Sequence, residues 1–265
     1  FTTNAFKAAP VLYDMRVLKE NPAGLRAVVI NSGCANACTG ERGLRDAETS
    51  AARVGEALGV LAKSVMVMST GVIGQPLPMD KIEAGIAAAA PLLSGEVAAG
   101  HDAARAIMTT DTRPKEVAAR VEAAGGVFTV AGMAKGAGMI SPKMATMLST
   151  IVCDAAVAPD VLAEILRRAV AVSFNCITVD GDMSTNDTLL LLANGMAGNA
   201  EICYPDCADY DALQEAITFV ATELAKGVAF DGEGATKKIT ILMRGGRTFD
   251  EAQQAGMAIA KSPLV

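Results

Sequence analysis

The stretch from Lys135 to Ala155, KGAGMISPKMATMLSTIVCDA, decides how the rest of the chain reads. Gly136, Gly138 and Pro142 form a tight approach to Ala145-Thr146, and the apolar run that follows, with several β-branched residues, has the pattern of a buried strand. Thr146 therefore stands at a turn-to-strand junction, where a side chain can be held rigidly. On the residues alone two readings stay open: a nucleophile, or a β-branched residue that starts a strand.

The hydroxyl of a threonine needs a base. The usual base is a histidine oriented by a third group. This chain has one histidine, His101, which falls in an expected short helix with no nucleophile motif beside it and reads as a surface or helix-start residue. A threonine that becomes the first residue of a chain can instead use its own α-amine, whose ordinary pKa of about 7.7–8.0 suits a base at neutral pH. To free that amine, Thr146 Oγ would attack the Ala145 carbonyl, move the acyl group from nitrogen to oxygen, and let water cleave the ester. Ala145 is small, and the nearby glycines and Pro142 allow a strained approach.

Bulk properties narrow the function classes. The 265 residues, 51% hydrophobic and 20% charged, are enough for a packed core in one large domain or two smaller ones. A net charge of -6, a pI near 4.9 and the lack of a Lys/Arg cluster argue against a nucleic-acid partner and leave small charged metabolites as ligands. No apolar run reaches the roughly 20 residues of a membrane-spanning helix, and FTTNAFKAAP lacks a signal-peptide layout. The expectation is a cytoplasmic protein without a membrane partner, whose missing initiator Met suggests a longer or trimmed precursor. Cys34/Cys38 and Cys203/Cys207 are spaced four apart, which does not match structural zinc sites, so no metal is expected.

Outward from the central stretch, strands are expected at Arg26–Asn31, Val65–Met68, Glu116–Glu122, Gly126–Ala134 and Lys237–Met243. The third and fourth form a hairpin at Gly125-Gly126. NCITVDGDMSTNDTLLLLANG reads as strand, acidic and hydroxyl-rich loop, strand. Helices are expected at Asp46–Leu58, Met79–Leu93, His101–Met108, Pro159–Val172, Asp209–Lys226 and Phe249–Ala260. Hairpins mixed with helices fit an α/β protein of mixed layers better than a simple alternating βαβ chain. STGVIG (Ser69 to Gly74) reads as a glycine loop at the tip of the second strand, exposing backbone N–H groups. Neither it nor GMAKGAGM matches a nucleotide-binding loop.

STGVIG, MTTDTRPKE (Met108 to Glu116), AKGAGMISPKMATML (Ala134 to Leu148), NDT (Asn186 to Thr188) and DGEGATK (Asp231 to Lys237) occur in this order along the chain. With the opening FTTNAFKAAPV and the closing KSPLV, they make the whole chain resemble the ornithine acetyltransferase family of arginine biosynthesis. The resemblance implies a mixed α/β sandwich like that of the N-terminal-nucleophile enzymes. It implies cleavage between Ala145 and Thr146, giving pieces 1–145 and 146–265 that stay together and pair into a heterotetramer. An acetyl group would pass from N-acetylornithine to Thr146 and then to glutamate, with no cofactor; acetyl-CoA is a further acetyl donor in some members.

By the same resemblance, Thr70 and Gly71 look like the oxyanion hole, and Thr109, Lys135, Thr146 and Glu233 match substrate-binding positions. Lys135 suits the substrate carboxylate and Glu233 the ornithine ammonium. Ala137 and Lys143 stand where relatives often carry Ser and Asn. Relatives continue past the position of Val265 into a region that supplies further substrate contacts, so over these residues the acceptor pocket would be incomplete. The alternatives are a related self-cleaving aminopeptidase or amidase, and a non-catalytic binding relative.

Overall fold

The structure, a computed structural model, describes residues 1–141, 147–205 and 207–264. Ala145 and Thr146 thus lie outside the described residues. Two sheets organise the remainder. Strands β1 (Ala27–Cys34) and β2 (Val65–Val72) pair in parallel, with helix α2 (Gly40–Leu58) as the crossover that a parallel pair requires. Helix α1 (Ala9–Glu20) packs on α2 and β2. The continuous apolar run VMVM that starts β2 is buried along its length, as expected for a strand covered on both faces.

The second sheet has the order β3-β4-β5-β6. β3 (Lys115–Ala123) and β4 (Gly126–Lys135) form the expected hairpin. β5 (Leu148–Cys153) lies antiparallel to β4, and β6 (Thr188–Ala193) runs parallel to β5 beyond α5 (Pro159–Val172). The long helix α6 (Ala208–Phe230) lies on β3, β4 and α5. Phe128, Val130, Ile151, Ile165, Leu213, Ile217 and Leu224 are fully buried between these elements. Each such side chain stabilises the fold by about 1.5–3 kcal/mol. A second core joins the two sheets, because Leu148 of β5 and Leu190 of β6 pack with Met66 and Met68 of β2. The start of β5, two residues after Thr146 in the sequence, therefore packs beside β2.

Three sequence expectations are corrected. β1 and β2 do not end at Asn31 and Met68 but run on to Cys34 and Val72, so Thr70 and Gly71 are strand residues rather than a loop beyond the strand tip. The extension depends on paired glycines: Gly33 lies opposite Gly71, which has φ +131°, and a Cβ on Gly71 would sit 2.2 Å from the Gly33 carbonyl carbon. Residues 175–179 form no strand; a 3-10 turn at Phe174–Cys176 takes their place. Lys237–Met243 is also not a strand, and most of it is exposed. An alternating pattern makes a strand only when another strand lies beside it, and none does here among the described residues.

The remaining helices are α3 (Met79–Ala89), α4 (Val97–Ala106) and α7 (Phe249–Ala260). His101 sits exposed on α4, 2.6 Å from Glu116 of β3 and apart from the residues described next.

Candidate active site

The site begins where β2 and β4 end. Lys135, the last residue of β4, is 3% exposed, and its Nζ donates to Thr70 Oγ1 at 3.0 Å. A hydroxyl that accepts from an ammonium keeps its own hydrogen to donate elsewhere. Asn186 fastens the strand ends: its amide donates to Ala35 O at 2.7 Å and to Ser69 O at 2.8 Å. Burial lowers the pKa of the Lys135 ammonium, and the charge of Asp111 opposes that fall most. An anionic ligand would restore the charge, so the lysine is suited to a carboxylate.

Behind Lys135 lies a buried ionic cluster. Lys115 Nζ sits 2.5 Å from Asp111 Oδ1 and 2.6 Å from Asp231 Oδ2, and all three side chains are almost wholly enclosed. Asp111 Oδ1 also accepts from Gly136 N at 2.7 Å, and Oδ2 from Thr109 N at 3.1 Å. Burial alone would raise the Asp111 carboxyl, but the Gly136 N–H, Lys115 and the Thr109 N–H together hold it below its ordinary range. Asp231 behaves alike, with Lys115 and Thr112 overcoming burial.

These bonds tie the turn 108–115, the end of β4 and the segment after α6 into one unit. Glu233 joins it twice: its N–H donates to Ala137 O at 2.7 Å, and its carboxylate accepts from Thr110 Oγ1. A Cβ at position 138 would lie 2.8 Å from the Glu233 carboxylate, so Gly138 leaves space for it. The expected tight approach continues with Met139 at φ 59°, where the Asp180 carboxylate accepts from the N–H groups of Met139 and Ile140.

Of the residues singled out in the sequence, Thr70 and Lys135 touch directly, while Thr109 and Glu233 connect to the Lys135 segment through Asp111, Thr110 and the backbone. Gly71 follows Thr70 and is exposed. Sequence reasoning did not single out Asp111, Lys115, Asp180, Asn186, Asp187 or Asp231. The signal of the acids and the amide was a place next to hydroxyl residues or glycine, inside TTDTRPKE, NDT and DGEG and in VDGD; Lys115 had none beyond its charge. A cavity of about 470 Å³ borders Asp231 and Thr112, is lined also by Phe230, Thr236 and Lys238, and includes neither Thr70 nor Lys135.

Fold and site together define a two-sheet α/β protein in which a buried lysine meets the hydroxyl end of a parallel strand, with acidic and hydroxyl groups converging behind it. The ArgJ family profile matches residues 1–265, and the chain belongs to that family. It is 53% identical over its whole length to the arginine biosynthesis bifunctional protein ArgJ of Symbiobacterium thermophilum, of which it spans 65%. Two solved structures are similar at TM-score 0.50, each over 56% of this chain. One is the ArgJ protein of Bacillus halodurans, at 40% identity over 74% of that chain. The other is the ornithine acetyltransferase of Mycobacterium tuberculosis in complex with ornithine, at 46% identity over 75% of that chain. The likeness agrees with the mixed α/β class expected from the sequence. Among the described residues no helix is long and apolar enough to cross a membrane.

Proposed function

We propose that this chain is the self-cleaving part of a cytoplasmic acetyltransferase that moves the acetyl group of N-acetylornithine to glutamate through an acetyl-Thr146 intermediate. Cleavage between Ala145 and Thr146 frees the α-amine, which then takes the hydroxyl proton as Oγ attacks the acetyl carbonyl. Negative charge develops on the carbonyl oxygen, and the Thr70 hydroxyl and Gly71 N–H stabilise it. Lys135 receives the substrate carboxylate and Glu233 the ornithine ammonium, with Thr109 beside them. Ornithine leaves and glutamate accepts the acetyl group, without any cofactor. The two pieces remain associated and pair into a heterotetramer.

The observation that carries this reading is the hydrogen bond from Lys135 Nζ to Thr70 Oγ1, at 3.0 Å. It joins a cationic binding group and an oxyanion donor at one point, in a chain of the ArgJ family. Incubating the full-length protein with N-acetylornithine, with and without glutamate, tests it. A transferase yields acetylglutamate that depends on glutamate; release of free acetate at the same rate either way would instead mark a hydrolase.

A further inference from the structure

Asn186 is buried in the turn that leads into β6, and its amide nitrogen donates to two backbone carbonyls, Ser69 O of β2 and Ala35 O just beyond β1. Ala35 N in turn donates to Val72 O at 2.9 Å, so the two amide bonds bracket Thr70 and Gly71 from either side. The turn is itself fixed. Thr185 Oγ1 donates to Asn186 Oδ1 at 2.7 Å, and Asn186 N donates to Ser184 Oγ at 3.0 Å. The opening segment of the chain holds the backbone on both sides of Asn186, from Ala8 N to Thr185 O at 2.9 Å and from Thr2 N to Asp187 O at 2.8 Å.

The edge of β2 that Asn186 meets is the one facing away from β1. In a strand the N–H and C=O of one residue face one edge and those of its neighbours face the other. Asp14 Oδ1 of α1 accepts from Val67 N at 2.8 Å, and Ser69 O accepts from Asn186, so residues 67, 69 and 71 present their backbone groups to that edge. The next donor along it is the Gly71 N–H. The peptide whose carbonyl Asn186 holds, between Ser69 and Thr70, also carries the Thr70 Cα and so aims the hydroxyl that Lys135 meets. One amide thus sets the direction of both groups.

We infer that Asn186 is the positioning residue of the oxyanion donors; the inference rests on the reading of Thr70 and Gly71 as those donors. Asn186 touches no reacting atom. It fixes the strand end so that both donors already point at the place where charge develops, and no reorganisation is needed during the reaction. Such an effect acts on the transition state and leaves ground-state binding by Lys135 and Glu233 alone.

The test is single-turnover release of ornithine from N-acetylornithine by the full-length, self-cut protein, with rates expressed per cut chain counted by intact mass. The unaltered protein is compared with Asn186→Ser, Asn186→Asp, Thr70→Ala, the Thr70→Ala/Asn186→Asp double variant, and Asn199→Asp. Serine keeps one donor at most, whereas aspartate keeps the shape and sets a carboxylate against two carbonyl oxygens. The rate at saturation should fall about 10-fold in Asn186→Ser and about 10²-fold in Asn186→Asp, the scale of a small misplacement of reacting groups. The half-saturating concentration should stay within about twofold, as for loss of an interaction made only in the transition state. Thr70→Ala should lose about 10²–10³-fold, and the double variant should be within about threefold of the slower single variant, because Asn186 acts through the donors. Asn199 is a matched clamp away from the site, buried and donating to Ala156 O at 3.1 Å and Ala200 O at 2.7 Å. Asn199→Asp should melt at a lower temperature and keep its rate within about threefold, since its bonds support only the fold. An unchanged rate in both Asn186 variants, a loss seen in half-saturating concentration or shared by Asn199→Asp, or failure of both Asn186 variants to fold or cut overturns the positioning role alone. An unchanged rate in Thr70→Ala overturns the oxyanion reading itself.

Discussion

Asp111 and Asp187 are buried aspartates on either side of Lys135 in the charge balance, yet their surroundings shift their carboxyls in opposite directions. Around Asp111 every direction supplies a donor: Lys115, the Gly136 N–H and the Thr109 N–H. Around Asp187 one oxygen has the Met147 N–H, and the other has nothing. Asp187 is the more deeply buried of the two and has fewer donors, and both differences push its carboxyl up while the donors around Asp111 outweigh burial. The first region fixes charge in place behind Lys135 and Glu233; the second favours the neutral form of its carboxyl.

The largest expected effect lies on the chemical side of this contrast. Thr146→Ala should abolish both self-cleavage and acetyl transfer, read by gel mobility and by acetylglutamate formation. On the fixed side, Lys115→Met strands two carboxylates in a dry cluster, and loss of one partner from a buried pair costs about 3–5 kcal/mol. Urea unfolding should show that loss, and the KM for N-acetylornithine should rise in whatever fraction folds.

The two regions also respond to pH with opposite sign. Asp111 and Asp231 are held below their ordinary range, so they stabilise the fold above the unfolded aspartate pKa of about 3.9, and that contribution is lost as pH falls through their folded values. Asp187 and Asp14 are held well above it, chiefly by burial, so their contribution is present below about 3.9 and is lost as pH rises toward their folded values. Asp14→Asn should therefore flatten the decline of stability on the rising side of a pH–melting curve without altering its acid limb. A steeper decline would contradict that sign. The smallest effect is expected at the surface, where the half-exposed Arg16–Glu48 pair is 2.6 Å apart. Arg16→Ala should change stability by no more than about 1 kcal/mol in the same measurement.

How much of this was legible in the sequence follows the same division. VMVM could be read as a strand because burial on both faces leaves a continuous signal along the chain, and the run after Thr146 because its apolar and β-branched residues include the buried Leu148, Ile151 and Cys153. The continuation of β2 through Thr70 and Gly71 could not, because it depends on Gly33, a partner on another strand. Lys237–Met243 carries an alternating pattern without a strand to pair with, so local pattern misled there. For the site, Thr70 and Lys135 stood out through family resemblance, whereas the burial of Lys135 beside Asp111 is set by three distant segments. Asp187 was invisible as a chemical group, since only the fold shows which of its oxygens lacks a partner.

Self-cleavage is tested most directly by intact mass spectrometry with N-terminal sequencing of the purified, active full-length protein. Two polypeptides are expected, the first ending at Ala145 and the second beginning Thr-Met-Leu-Ser-Thr. Full acetyl transfer by a protein consisting of one uncut chain would contradict it.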